Sequence, residues 1–270
     1  MAEGEVPVVI LCGGRGTRLS SYDSTIPKPL APIGERPILW HIMKLYSSFG
    51  YEDFVLALGW LGEEIRRYFL HYDAMTRDFT LRLGEPGKVR FEDGAAGGNW
   101  RVTCRDTGRD TLTGSRVRRA MDRSTCDTFM VTYGDCIGDI DIDALLQCHR
   151  RAGRLATITA VQPPSRFGEL AIGEDDLVTS FVEKPQTSTG AINGGFMVFE
   201  REALDRYFPV EGDYMLEREP LGSLAADGQL TAYTHHGFWQ PMDTPRERAL
   251  LDGLWTSGHA PWCVWEESRP

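Results

Sequence analysis

No two cysteines of the chain stand as Cys-x-x-Cys. The six, at positions 12, 104, 126, 136, 148 and 263, are scattered, which excludes a zinc ribbon or redox dithiol and offers no disulfide framework. Free thiols, several of them buried, are expected. Long apolar runs are also lacking: Val8-Val9-Ile10-Leu11-Cys12 is far short of the roughly 20 residues a membrane span needs. The residues before it carry acids where a signal peptide carries bases. Positive charge is scarce, with Lys+Arg 29 against Asp+Glu 39 and a formal net charge of -10. Such a balance repels a phosphate backbone unless the basic residues are gathered locally. Neither nucleic acid nor membrane is expected as a partner, and a cytoplasmic location is. Internal repeats and low-complexity linkers are absent as well.

What is present is enough apolar residue, 41% of 270, to bury a sizeable core, and a single domain over residues 1–270 is expected. The β-branched run at 8–12 ends in glycines, the pattern of a strand buried on both faces that feeds a functional loop. Pro37 then precedes Ile38, Leu39, Ile42, Met43, Leu45 and Tyr46, an apolar stripe at helical spacing that Gly50 stops. A buried strand at 54–58 and a helix at 63–72 continue the alternation, which favours a parallel sheet with crossover helices. Short alternating runs from 77 to 106 predict a hairpin or ribbon, with residues 94–98 turning between 89–91 and 100–103. Further helices are predicted at 115–123, 141–152, 202–208, 217–226 and, near the C-terminus, about 245–257. A strand is predicted at 128–132, and three or four more between 156 and 199. The fold class is α/β: a mixed, mostly parallel sheet flanked by helices, Rossmann-like, with a small β-ribbon insertion.

The chemistry concentrates after the first strand, in Gly13-Gly14-Arg15-Gly16-Thr17-Arg18. Loops that follow the carboxyl ends of parallel strands open onto the ligand crevice of such sheets. Glycines let the backbone approach a triphosphate, and arginines supply charge-assisted bonds to its oxygens. Leu19 stands where a dinucleotide fingerprint needs its third glycine, and the Gly-Lys-Ser/Thr of a P-loop is missing. Hydride transfer and ATPase chemistry lose ground accordingly. Nearby, Pro27-Lys28-Pro29 stiffens the backbone around a single lysine.

Two acids stand in motifs with little regular-structure logic of their own: Asp135 in Tyr133-Gly134-Asp135, and Asp243 in Trp239-Gln240-Pro241-Met242-Asp243-Thr244. Brought together, they would suit Mg²⁺, which takes a few carboxylates along with phosphate oxygens and water. Overlapping Asp-x-Asp patterns at Asp139, Asp141 and Asp143 raise glycosyl transfer as a rival. They lie at a helix start, where capping is the simpler role. Trp40 and His41 read as core residues, and His235-His236 as surface.

Gly-Gly-x-Gly-Thr-Arg-Leu followed closely by Pro-Lys-Pro resembles the signature of the sugar-1-phosphate nucleotidyltransferase family, and the likeness runs from Val8 to about Trp262. The resemblance implies a reaction in which a sugar 1-phosphate attacks a nucleoside triphosphate and pyrophosphate leaves. It implies nucleotide contacts from Leu11, Gly13, Gly14, Arg15, Gly16 and Thr17, and catalytic roles for Arg18, Lys28 and Lys184. It places Mg²⁺ on Asp135 and Asp243, and the sugar phosphate on Glu183, Lys184, Asn193 and Gly194. Segments such as Arg166-Phe167-Gly168 and Gly237-Phe238-Trp239-Gln240 are similar to the branch that uses CTP and glucose 1-phosphate. The stretch from Thr111 to Arg116 resembles the part that contacts the cytosine nucleotide, through Thr111 and Gly114. Homo-oligomers are implied too. Three positions depart from the family pattern: Ile26 replaces a lysine, and Ser115 and Cys136 replace glycines, with Cys136 expected at the pocket mouth. These departures keep open a relative acting on another sugar phosphate, or with UTP or dTTP. A non-catalytic paralogue is the reading from a different class.

Overall fold

A computed structural model describes residues 6–16, 25–84, 89–92, 99–162, 169–172, 177–182 and 190–265. Seven strands form its main sheet: β1 (Val8–Cys12), β2 (Asp53–Leu58), β3 (Arg101–Asp106), β4 (Thr128–Tyr133), β5 (Ala156–Val161), β6 (Ile192–Glu200) and β7 (Leu230–His235). Their spatial order is β7-β5-β6-β4-β1-β2-β3. Parallel pairing links β1 to β2 and β4, β2 to β3, and β5 to β7. Only β6 runs the other way, antiparallel to both β4 and β5.

Strand β1 shows why the sheet must be covered on both faces. All five of its residues are buried, and successive side chains point to opposite faces. Val8, Ile10 and Cys12 enter one core with α1 (Ile38–Ser48), while Val9 and Leu11 enter a second core on the other face. Pro37 starts α1 with φ near −67°, and Gly50, at φ 86°, follows its end, where left-handed backbone favours glycine. The helices α2 (Gly62–Leu70) and α3 (Tyr72–Thr76) follow β2, and α4 (Thr113–Met121) packs Val117, Ala120 and Met121 into the second core. Asp141 accepts a hydrogen bond from the Ala144 N–H at 2.8 Å to start α5 (Ile142–Ala152). The helices α6 (Arg201–Tyr207), α7 (Pro220–Ala226) and α8 (Pro245–Thr256) follow, the last opened by a capping box between Thr244 and Glu247. Among the described residues no helix is long and apolar enough to cross a membrane.

The inserted ribbon is present, with different partners from those expected. Val89–Phe91 pairs with Phe79–Leu81, and the segment expected to pair with it instead becomes β3, parallel to β2 at the sheet edge. Alternation alone shows that a strand exists and leaves its partner open. A second short ribbon joins Cys136–Gly138 to Trp239–Pro241, and the Met242 N–H donates to the Asp135 carbonyl at 2.8 Å.

Candidate active site

A cleft of about 540 Å³ opens at the carboxyl ends of β1, β3 and β4. Its lining includes Leu11, Gly13, Gly14, Arg15 and Gly16 from the β1 loop, Lys28, the 109–113 segment, and Asp135 and Asp243. Nine of the residues singled out from the sequence therefore share one cavity: those five together with Lys28, Thr111, Asp135 and Asp243.

Lysine 28 sits at the start of a short 3₁₀ turn, behind Pro27 at φ −65°. Its ammonium lies 2.6 Å from Oδ2 of Asp135 and 2.6 Å from Oδ1 of Asp243, with only 9% of the side chain exposed. Burial pulls the lysine pKa down, but the charges and hydrogen bonds of the two carboxylates outweigh it and the net shift is upward. The two aspartates meet because the short ribbon at 136–138 and 239–241 fixes the strands that carry them. Asp243 is steadied further: its backbone N–H donates to Oε2 of Glu247 at 2.8 Å.

The glycine loop is pinned by Arg116, the last residue of the stretch expected to contact the nucleotide, in a role that the sequence did not indicate. Arg116 is buried on α4 and donates to the carbonyls of Gly13 (2.9 Å), Leu58 (3.0 Å), Gly108 (2.9 Å) and Arg109 (3.2 Å) and to Oγ1 of Thr107 (2.8 Å). Desolvation lowers its pKa, with Asp213 opposing, and the carbonyl dipoles take the place of a direct counter-ion. A Cβ on Gly13 would fall 2.2 Å from this guanidinium, so glycine is required there by close approach. An arginine in a helix gives no sequence signal of burial, so nothing marked this role.

The remaining predicted residues divide. Gly114 is not part of the cleft lining: its N–H donates to the Tyr214 carbonyl at 3.1 Å, and a Cβ there would meet the Tyr214 ring at 2.6 Å. Ser115 also faces that tyrosine, accepting from its N–H at 2.9 Å, so this departure from the family pattern anchors α4. Cys136 is buried, 3.7 Å from the Gly194 carbonyl, and lines no part of the cleft; its expected place at the pocket mouth is corrected. Burial, then Asp135, pushes its thiol pKa well up. Asn193 donates from Nδ2 to the Tyr133 hydroxyl at 3.4 Å, while the Gly194 carbonyl accepts from Nε1 of Trp239 at 2.8 Å. Tyr133 in turn lines the cleft and donates to Glu217 at 2.5 Å. Asn193 thus touches a residue of the cleft lining, but neither it nor Gly194 is part of that lining. Thr17, Arg18, Glu183 and Lys184 lie outside the described residues.

Of the Asp-x-Asp residues, Asp141 caps α5, Asp143 accepts from the Tyr51 hydroxyl at 3.0 Å, and Asp139 lies 2.9 Å from Nε2 of His235. Capping accounts for Asp141 and a side-chain hydrogen bond for Asp143, whereas Oδ1 of Asp139 is buried close to His235 without an aligned hydrogen bond. His235 is buried, not on the surface as expected; His236 is exposed.

A glycine loop after the first strand, a buried lysine and two converging acids, all at the carboxyl edge of a doubly covered sheet, define an enzyme that handles a nucleotide's phosphates. The Nucleotidyl transferase family model matches residues 7–240, and the chain belongs to that family. It is 44% identical over 264 residues to glucose-1-phosphate cytidylyltransferase of Salmonella typhi, covering 96% of this chain and 99% of that protein. It is 43% identical over 257 residues to a Bacillus subtilis (strain 168) protein named "Probable glucose-1-phosphate cytidylyltransferase", with 95% and 99% covered. The crystal structure of HddC from Yersinia pseudotuberculosis shares the fold, with a TM-score of 0.67, 22% identity, and 92% of this chain and 98% of that one covered.

Proposed function

We propose that the protein transfers the cytidylyl group of CTP to glucose 1-phosphate, forming CDP-glucose and releasing pyrophosphate, with Mg²⁺ as cofactor. The observation that carries this reading is the convergence of Lys28, Asp135 and Asp243 in a cleft walled by the glycine loop. The choice of base and sugar rests on the near full-length relatives.

A sugar-phosphate oxygen attacks the α-phosphorus in line, a new P–O bond forms, and the bond to the β-phosphate breaks. No enzyme nucleophile is needed, so the protein supplies orientation and charge. Asp135 and Asp243 have the donor chemistry that Mg²⁺ takes, and their oxygens already converge on one cation, each lying 2.6 Å from the Lys28 ammonium. No group of three or more His, Cys, Asp or Glu that could hold a metal gathers among the described residues, and Mg²⁺ commonly takes only one or two carboxylates beside phosphate oxygens. When bound, it would neutralise charge on the phosphates. Gly13, Gly14, Arg15 and Gly16 approach the triphosphate, Thr111 and the Leu11–Gly14 backbone face the base, and Lys28 holds the pyrophosphate. By family resemblance Thr17 and Arg18 share the phosphates, and Glu183, Lys184, Asn193 and Gly194 take the sugar phosphate. The same resemblance supports a homo-oligomer, which light scattering of the purified protein checks, and the acidic residues before Val8 support a cytoplasmic location. A matrix of nucleoside triphosphates against sugar 1-phosphates, scored by pyrophosphate release, tests the whole reading. CTP with glucose 1-phosphate should give the highest kcat/KM. Equal values with UTP and dTTP would overturn the base assignment, and no release with any pair would overturn nucleotidyl transfer.

A further inference from the structure

At the mouth of the cleft, two arginines share one indole. The guanidinium carbon of Arg109 lies 4.1 Å from the Trp60 ring centroid, and that of Arg15 lies 4.9 Å from the same ring. Arg15 also reaches across the mouth to Asp110, with Nε at 2.9 Å and Nη2 at 2.7 Å from Oδ1. Arg109 has no carboxylate partner among the described residues, and both arginines line the cleft while Trp60 stays behind them. The backbone of Trp60 donates to the Gly13 carbonyl at 3.3 Å, so position 60 stays tied to the glycine loop whatever side chain it carries. An exposed arginine ordinarily samples many rotamers, and ordering it on binding costs entropy. Stacking on an aromatic face restricts that freedom and leaves the N–H donors at the edge free to bond.

We propose that Trp60 is a positioning residue that holds Arg15 and Arg109 at the cleft mouth for the phosphates of the incoming nucleotide, with Asp110 as the group those phosphates displace from Arg15. The Arg15–Asp110 pair is suited to that exchange. Both side chains are more than half exposed, and such pairs contribute little stability, whereas a triphosphate brings several negative charges to the same spot. This rests on the site being a nucleoside triphosphate site, though not on which base it reads.

The test is calorimetric binding to the full-length protein of CTP, inorganic tripolyphosphate and cytidine, each with the wild type, Trp60→Leu, Trp60→Phe, Arg109→Ala and Asp110→Asn. Trp60→Leu should weaken CTP and tripolyphosphate alike by about tenfold, and Trp60→Phe, which keeps an aromatic face, by no more than about threefold. Asp110→Asn should tighten both ligands. Cytidine affinity, kcat at saturating CTP, KM for the sugar phosphate and melting temperature should hold steady in Trp60→Leu. If Trp60→Leu fails to fold, Arg109→Ala carries the test and should weaken tripolyphosphate to a similar extent. Unchanged tripolyphosphate affinity in a folded Trp60→Leu protein would overturn the proposal. So would a loss as large in Trp60→Phe, or a loss for cytidine without one for tripolyphosphate. Failure of the CTP assignment is distinguishable, because it would appear in the substrate matrix and leave the tripolyphosphate results as expected.

Discussion

The ammonium of Lys28 stands between Asp135 and Asp243, 2.6 Å from an oxygen of each. A divalent cation held by the proposed ligands Asp135 and Asp243 would therefore have to compete with the lysine for them. Lys28→Met should raise Mn²⁺ affinity in the absence of nucleotide by at least about tenfold, since the carboxylates lose their resident cation. It should also lower thermal stability without metal, with recovery on adding it. Electron paramagnetic resonance titration of Mn²⁺ and melting curves check both, and an unchanged Mn²⁺ affinity would refute the competition. The raised Lys28 pKa fixes the pH range of the clamp. Its contribution is complete below the ordinary lysine value and is lost only as pH rises through the higher folded value, so it holds at neutral pH.

Asp135→Asn and Asp243→Asn should each lower kcat by about 10²–10³ while leaving the fold intact, the scale expected when transition-state charge loses its counterpart. Chelation of divalent metal should abolish turnover of the wild type, and Mg²⁺ should restore it. Steady-state pyrophosphate release measures all three. Near wild-type kcat in either variant would remove that aspartate from the site.

Arg116→Lys should cost about 2–3 kcal/mol of stability, because a point ammonium cannot reach four carbonyls and a hydroxyl from one position. CTP affinity should fall with it, since the Gly13 carbonyl loses its arginine donor. Gly13→Ala should produce the same binding defect from the opposite side of that contact. Denaturant melts and CTP titration of both variants check the pair.

His41 sets an acid limit. It is fully buried, Nε2 lies 3.0 Å from the Ile33 carbonyl, and Nδ1 faces Nε1–H of Trp262 at 3.4 Å. Desolvation brings its pKa down from 6.5 to about 4. Between those values the unfolded chain binds the extra proton and the folded one does not, so stability falls as pH drops through that window. The loss should reach about 3 kcal/mol by pH 4. His41→Gln should flatten the dependence of Tm on pH between 6.5 and 4, and a slope equal to that of the wild type would contradict it.

Local pattern carried much of this fold and part of its site. The β-branched run at Val8–Cys12, the proline before Ile38 and the glycine after Phe49 each act through neighbouring backbone, and β1 and α1 lie where those signals place them. The glycine loop, Lys28 and the two aspartates were legible through the combination and order of their motifs along the chain, since each alone reads as an ordinary turn, solvated lysine or capping acid. Partner choice was not legible. The strand at 101–106 alternates like a hairpin arm and pairs with β2 instead, since register and neighbours are decided by the whole sheet. The buried role of Arg116 stayed hidden for the same reason: its partners are carbonyls from three separate segments of the chain. His235 read as surface because Asp139, which the fold brings to within 2.9 Å of it, lies nearly a hundred residues earlier.

The two carboxylates are spaced by a ladder of only three residue pairs, Trp239 with Gly138, Gln240 with Ile137 and Pro241 with Cys136. All seven strands of the main sheet precede Asp243 in the chain. During synthesis on the ribosome, the sheet and the glycine loop can therefore be in place while the second acid has yet to emerge. On the proposed assignment, a nascent chain at that stage would carry the phosphate-binding loop without the second acid, and turnover would begin only when the last ribbon closes.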